Sequence, residues 1–265
     1  MRISSFFTGA GGLDLGFKKS GAQILYANEF DKKIWSTFEL NFTKRSNTYL
    51  DKRSITEVDA SEVPDCEGII GGPPCQSWSE AGALRGIDDK RGQLFFDFIR
   101  ILKAKKPLFF LAENVSGMLA GRHNEALKNI IQLFEKSGYV VTYELLNTSD
   151  FGVPQDRQRV IFVGYRKDLG KKFIHPSPTT LSIDHKLTLK DAIWDLRNNA
   201  LPAKEKNQSN YEKCKVPNHE YMIGGFSTIY MSRNRVRPWN RQSFTIQAGG
   251  RHAPIHPDAP KMVKH

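Results

Sequence analysis

The sequence predicts an α/β protein built on a mostly parallel sheet with helices on both faces, followed by a smaller irregular domain. Three observations carry this. From the N-terminus to about residue 168, short apolar runs alternate with stretches of helical period. The first run leads directly into a glycine cluster and then a helix pattern, which is how a nucleotide-binding α/β unit opens. From about Lys171 prolines, asparagines and short segments replace the alternation. The predicted division is therefore 1–170 and 171–265.

The segment from Arg2 to Phe7 reads as the first strand, running into Thr8-Gly9-Ala10-Gly11-Gly12. A helix follows with Leu13 and Phe17 on one face and Gly21 as its stop. Glycines here let backbone approach a ligand at a helix N-terminus, although many glycine turns merely connect elements. The second strand, Ile24–Ala27, ends at Asn28-Glu29, with Glu29 18 residues after Gly11. A carboxylate about 20 residues past such glycines can accept from both ribose hydroxyls; the other reading is an exposed cap of the next helix, where Asp31 serves equally well. Ile34, Trp35 and Phe38 at helical spacing are core. Asp51 could end a third strand and accept from an adenine amino group, or stand on a solvated loop.

Ile69-Ile70 reads as a buried strand that Gly71-Gly72-Pro73-Pro74 stops abruptly, leaving Cys75 on the loop beyond it. The carboxyl edge of an open α/β sheet is where reacting groups collect, so Cys75 stands where a nucleophile is expected; a lone cysteine is otherwise a small buried hydrophobe. Ser79 to Gln93 is glycine- and charge-rich without apolar period and reads as a surface loop able to close over a substrate. Leu94, Phe95, Phe98, Ile101 and Leu102 mark a helix ending before Pro107, and Leu108–Ala112 is the next buried strand. It terminates in Glu113-Asn114-Val115, placing a carboxylate at the same sheet edge as Cys75. Leu127, Ile130, Ile131 and Phe134 define a further helix stopped by Gly138, and two strands follow, Tyr139–Tyr143 and Arg159–Val163. Between them, Arg157 and Arg159 share one side of an extended segment, suited to donating into a site or to surface ion pairing. In the second domain Ile193-Trp194 is expected core, and Arg233, Arg235 and Arg251 lie on segments suited to bidentate contact with guanine or to phosphate contact.

Composition narrows the partner. The chain of 265 residues carries a net charge of +11 and a pI near 9.5, pointing to a polyanion, for which double-stranded DNA or RNA is the natural candidate. No basic amphipathic helix favours a membrane surface, and no apolar window is long enough to span one. Three separated cysteines, Cys66, Cys75 and Cys214, give neither a disulfide framework nor a zinc spacing, so a reducing cytoplasm and no metal are expected.

Taken in order, Phe7-Thr8-Gly9-Ala10-Gly11-Gly12, Glu29, Gly72-Pro73-Pro74-Cys75-Gln76, Glu113-Asn114-Val115 and Gln155-Asp156-Arg157-Gln158-Arg159 resemble the ordered motifs of the DNA (cytosine-5) methyltransferases. Within that family the chain is most similar to bacterial modification enzymes that protect GGCC sites, whose recognition arginines match Arg233, Arg235 and Arg251. The resemblance implies an S-adenosylmethionine-dependent, Rossmann-like catalytic domain and a target-recognition domain. It implies cofactor contacts from Phe7 to Gly12 and from Glu29, Asp51 and Pro73. Cys75 would add to carbon 6 of a cytosine flipped out of double-stranded DNA, and Glu113, protonated as it acts, would hold the ring nitrogen and exocyclic amine. Arg157 and Arg159 would line the pocket, with Ser79 and Arg85 on the closing loop against DNA. The arginine- and glutamate-bearing return segment and the Gly-Asn helix start of the family do not occur before His265. A split or truncated enzyme is thus expected, binding cofactor weakly unless a complementing C-terminal polypeptide is supplied. Two competitors remain: a non-catalytic DNA-binding remnant, in which Cys75 is dispensable, and a nicotinamide-dependent oxidoreductase, which leaves the Pro-Pro-Cys loop without work.

Overall fold

The computed structural model describes residues 1–74, 90–180, 182–202, 204, 210–214, 220–221, 236–246 and 257. Two compact units divide the chain: Met1–Leu145 with Arg159–Pro176, and Leu146–Gln158 with Ser177–His265.

The first unit is organised by a seven-stranded sheet of order β3-β2-β1-β4-β5-β8-β6. Its strands are β1 Arg2–Phe6, β2 Gln23–Asn28, β3 Tyr49–Asp51, β4 Gly68–Gly71, β5 Phe109–Val115, β6 Tyr139–Asn147 and β8 Gln158–Arg166, with the two-residue β7, Gln155–Asp156, falling in the second unit. The ladders from β3 to β5 are parallel, and β8 runs antiparallel to β5. Alternating side chains pack two faces. On β4, Ile69 joins a core cluster with Phe98, Leu102, Ile130 and Phe134, whereas Ile70 joins Ile3, Ile24, Leu13 and Phe17. Neighbouring residues of a strand point to opposite faces. The helices Lys90–Lys105 and Asn124–Lys136 therefore cover one face, and Gly12–Lys19 covers the other.

Strand order reverses between β1 and β4, since the chain winds outward from β1 through β2 to β3 and then resumes on β1's other side. In a doubly wound sheet the crevice beyond the carboxyl ends at such a point is where ligands bind. Phe6 pairs with Gly71 there, so the glycine loop and the Pro-Pro loop leave the sheet side by side.

Gly11 sits at φ 87 as the cap of the helix Gly12–Lys19, and a Cβ there would stand 2.2 Å from Phe42 Cε2. Gly11→Ala is accordingly expected to cost about 2–4 kcal/mol, from left-handed backbone strain and overpacking together. Chemical denaturation checks this, and a variant as stable as the parent would contradict the packing described.

Two sequence expectations are corrected, the start of one helix and the burial of Trp194. The strand bearing Glu113 ends at Val115, within the Glu113-Asn114-Val115 segment where it is expected to terminate. Its parallel neighbour β4 ends opposite Ala112, but antiparallel β8 prolongs the ladder to Val115, opposite Arg159. The helix expected from Leu94 begins at Lys90. The two compact units divide after Pro176, and Leu146–Gln158 goes with the second. The two-residue strand Ser243–Phe244 pairs with β7, and Arg237 reaches Asp156 Oδ2 at 2.8 Å. Residues 171–176 stay with the first unit, where Phe173 meets the Tyr165 ring at 5.9 Å and His175 lies 3.2 Å from the Thr142 hydroxyl. Finally, Trp194 is not core. It keeps 39% of its surface, with Trp239 against its edge and Lys190 and Arg197 over its ring.

Candidate active site

A cavity of about 410 Å³ opens at the reversal point, lined by Phe7, Asn28, Glu29, Phe30, Ser54, Ile55, Thr56, Gln93 and Leu94. Phe7, which leads into the glycine loop, contributes to one wall, whereas Thr8 to Gly12 do not line the cavity. Phe7 is held at φ 54, a conformation L side chains rarely adopt, followed by Gly9 at φ 57 and Gly11 at φ 87. Strain of this kind persists where surrounding contacts over-determine it, and it clusters at ligand sites. Here the contacts are explicit. Thr8 N–H donates to the Asn28 carbonyl at 3.3 Å, Gly11 N–H to the Thr8 carbonyl at 2.9 Å, and Gly9 N–H to Glu29 Oε2 at 2.9 Å.

Glu29, at the carboxyl end of β2, is 8% exposed. Its Oε1 accepts from Asp31 N–H at 2.8 Å, and Trp35 Nε1–H donates to its backbone carbonyl at 2.7 Å. Asp31 caps the helix Lys32–Phe38 through its own carboxylate, and Glu29, buried and not capping, lines the cavity. Each Glu29 oxygen retains a second lone pair for a hydroxyl donor.

Asp51 ends β3 as expected but does not line this cavity. Its carboxylate accepts from Tyr26 Oη–H at 2.9 Å and from Arg53 Nε and a terminal guanidinium nitrogen at 3.1 and 2.6 Å. Burial pushes the Asp51 carboxyl up, but these hydrogen bonds outweigh it and hold it below the usual carboxylate range. Ser54, Ile55 and Thr56 take the wall instead, on the turn after β3. The signal for them was present in the sequence: Ser54-Ile55-Thr56-Glu57 is a capping box, and Ser54 N–H donates to Glu57 Oε2 at 3.2 Å.

On β4's other side the carboxyl edge carries a second cluster. Glu113 Oε1 and Arg159 Nε are 2.5 Å apart across the β5/β8 ladder, each about three-quarters buried. Glu113 Oε2 lies over Gly72, where a Cβ would come within 3.3 Å of it, so a glycine keeps the carboxylate and the loop in contact. Asn114 Nδ2 donates to the Pro73 carbonyl at 3.0 Å and clamps the Pro-Pro segment to β5, a role the sequence did not reveal. Pro73 does not line the cavity. Arg157 belongs to the second unit, where its N–H donates to Asn147 Oδ1 at 3.0 Å and its carbonyl accepts from Thr148 N–H at 3.1 Å. Cys75, Gln76, Ser79, Arg85, Arg233, Arg235 and Arg251 lie outside the described residues.

A family profile described as C-5 cytosine-specific DNA methylase matches residues 1–265. The chain belongs to the C-5 cytosine-specific DNA methylases. It is 57% identical over 265 residues to the type II methyltransferase M.NgoPII of Neisseria gonorrhoeae, covering the whole chain and 76% of that protein. It is 56% identical over 265 residues to M.FnuDI of Fusobacterium nucleatum, covering 75% of it, and 54% identical over 264 residues to M.MthTI of Methanothermobacter thermautotrophicus, covering 77%. The Dnmt2 methyltransferase of S. pombe shares the fold at a TM-score of 0.64 and 17% identity, over 97% of this chain and 74% of that one. As a C-5 cytosine-specific DNA methylase, the chain is a methyltransferase that uses S-adenosylmethionine and acts on DNA. Among the described residues, no helix is long and apolar enough to cross a membrane.

Proposed function

We propose that this methylase modifies carbon 5 of a cytosine flipped from double-stranded DNA within GGCC, as the modification enzyme of a restriction–modification system. The observation that carries the reading is Glu113 paired with Arg159 and resting on Gly72, beside the loop that leads to Cys75.

The cavity at the reversal point suits S-adenosylmethionine in size and in chemistry. Its volume lies in the range of about 300–1,000 Å³ usual for small-molecule sites. Phe7, Phe30, Ile55 and Leu94 offer apolar walls for a purine, and Glu29 offers acceptors for ribose hydroxyls. The bound cofactor supplies an electrophilic methyl group. The protein's task is to make carbon 5 nucleophilic. The Cys75 thiolate adds to carbon 6, the 5,6 double bond opens, and its electron pair moves toward carbon 5 and the ring nitrogen. Glu113 delivers a proton to that nitrogen, and Arg159, fixed against Glu113 Oε1, orients it and balances the carboxylate left behind. Once carbon 5 carries the methyl group, Glu113 takes back the proton it gave to the ring nitrogen, a base removes the proton at carbon 5, the double bond re-forms and the thiolate leaves. Arg157, Ser79 and Arg85 would contact the extruded base or its strand, while Arg233, Arg235 and Arg251 would read guanines, each good bidentate pair giving roughly 1–3 kcal/mol of discrimination.

Bisulfite sequencing of DNA exposed to S-adenosylmethionine and the protein, alone and with the complementing C-terminal polypeptide supplied, tests the reading. One protected cytosine per strand is expected in every GGCC and none in permuted sites such as GCGC. Protection at another sequence would reject the target; conversion at every cytosine would reject the activity.

A further inference from the structure

Beneath the glycine loop lies a charged group that the proposed chemistry does not use. Asp14, in the first turn of the helix Gly12–Lys19, is fully buried. Its Oδ2 accepts the Thr8 hydroxyl proton at 2.5 Å, while Oδ1 has no hydrogen-bond partner among the described residues. The buried Ser4 and Ser5 hydroxyls, on the strand leading into the loop, also close no hydrogen bond. Burial pushes the Asp14 carboxyl up, against the opposing pull of the Thr8 hydroxyl. A carboxylate in this position costs stability, because it gives up water and recovers only part of its hydrogen bonding. Where packing alone mattered, an apolar side chain of similar volume would be the more stable choice.

What the carboxylate holds is the loop. The two backbone bonds of Thr8 tie it to β2 and to Gly11, whereas its hydroxyl ties it down to the helix through Asp14. On one side of Thr8 is Phe7, at positive φ and lining the cavity; on the other is Gly9, whose N–H is fixed on Glu29. A swing of Thr8 would move both. We infer that Asp14 is a positioning residue for the cofactor, holding the loop from Phe7 to Gly11 in its ligand-receiving form through the Thr8 hydroxyl. This rests on the assignment of the cavity to S-adenosylmethionine made above.

Calorimetric titration with S-adenosylmethionine and with its demethylated product, together with the unfolding midpoint of the ligand-free protein, separates positioning from packing. Asp14→Leu is expected to weaken both ligands about tenfold or more while leaving the midpoint unchanged or raised. Thr8→Val, which keeps the shape and loses the donor, should weaken them to a similar degree, and combining it with Asp14→Leu should add little, since both break one contact. Thr8→Ser restores the donor and should recover most of the affinity lost in Thr8→Val. If Asp14→Leu does not fold, the Thr8→Val and Thr8→Ser pair carries the test. Affinities within twofold of the parent, or losses that merely track a falling midpoint, overturn the inference alone. A parent protein that binds neither ligand, alone or with the complementing C-terminal polypeptide supplied, rejects the cofactor assignment and the inference with it.

Discussion

Cys75→Ser is expected to abolish covalent capture of duplex DNA carrying 5-fluorocytosine at the target base, and to lower methyl transfer by about 10³-fold or more. Fluorine at carbon 5 cannot leave as a cation, so an adduct formed through carbon 6 has no exit and accumulates. Sulfur makes that adduct because a thiolate is available near neutral pH, whereas a serine hydroxyl without a base beside it is a feeble nucleophile. Binding to the same duplex should persist, since phosphate and base contacts do not involve the sulfur. The measurement is the fraction of DNA retained by protein on a denaturing gel, set beside a gel shift under native conditions. An undiminished adduct in the serine variant would reject the nucleophile. A parent that binds DNA but never traps it would favour the non-catalytic remnant over the enzyme.

Glu113→Gln should lower single-turnover methyl transfer by about 10²–10³-fold with DNA affinity kept within a few fold. The carboxyl must hand a proton to the ring nitrogen as the thiolate adds, and an amide cannot. The pair geometry makes the substitution informative, because Glu113 Oε1 is already engaged by Arg159 Nε at 2.5 Å and its Oε2 is pressed over Gly72. Glutamine fits the same space and can still accept from the guanidinium, so a loss reports proton delivery and not collapse of the site. Turnover within tenfold of the parent would remove Glu113 from the proton-transfer role and leave it as Arg159's structural partner.

Much of the fold was legible because its signals are local. Ile69-Ile70, Leu108–Ala112 and the glycine loop announce strands and turns through period and backbone chemistry alone, and the structure has β4, β5 and the β1 loop there. Glu29 was legible for the same reason, as a carboxylate at a strand end a set distance past glycines. For Asp51 the sequence is silent on one point, because a carboxylate at a strand end looks identical whether it is open to a ligand or bound by Arg53 and Tyr26. The latter residue stands 25 positions away and meets it only through the β2/β3 ladder. Trp194 misled because an aromatic beside isoleucine reads as core, although cations over its ring let it stay at the surface.

The order of motifs, the two-faced apolar alternation of the strands and the residue types at the sheet edge are properties of the sequence by itself, and they determined the family and the chemistry it performs. Which side chains meet was decided only by the tertiary structure. The winding order places the turn at Ser54 across a cavity from Phe7, and the antiparallel run of β8 brings Arg159 to Glu113 from 46 residues away. Contacts between distant segments follow from strand order and direction, which no local pattern of residues encodes.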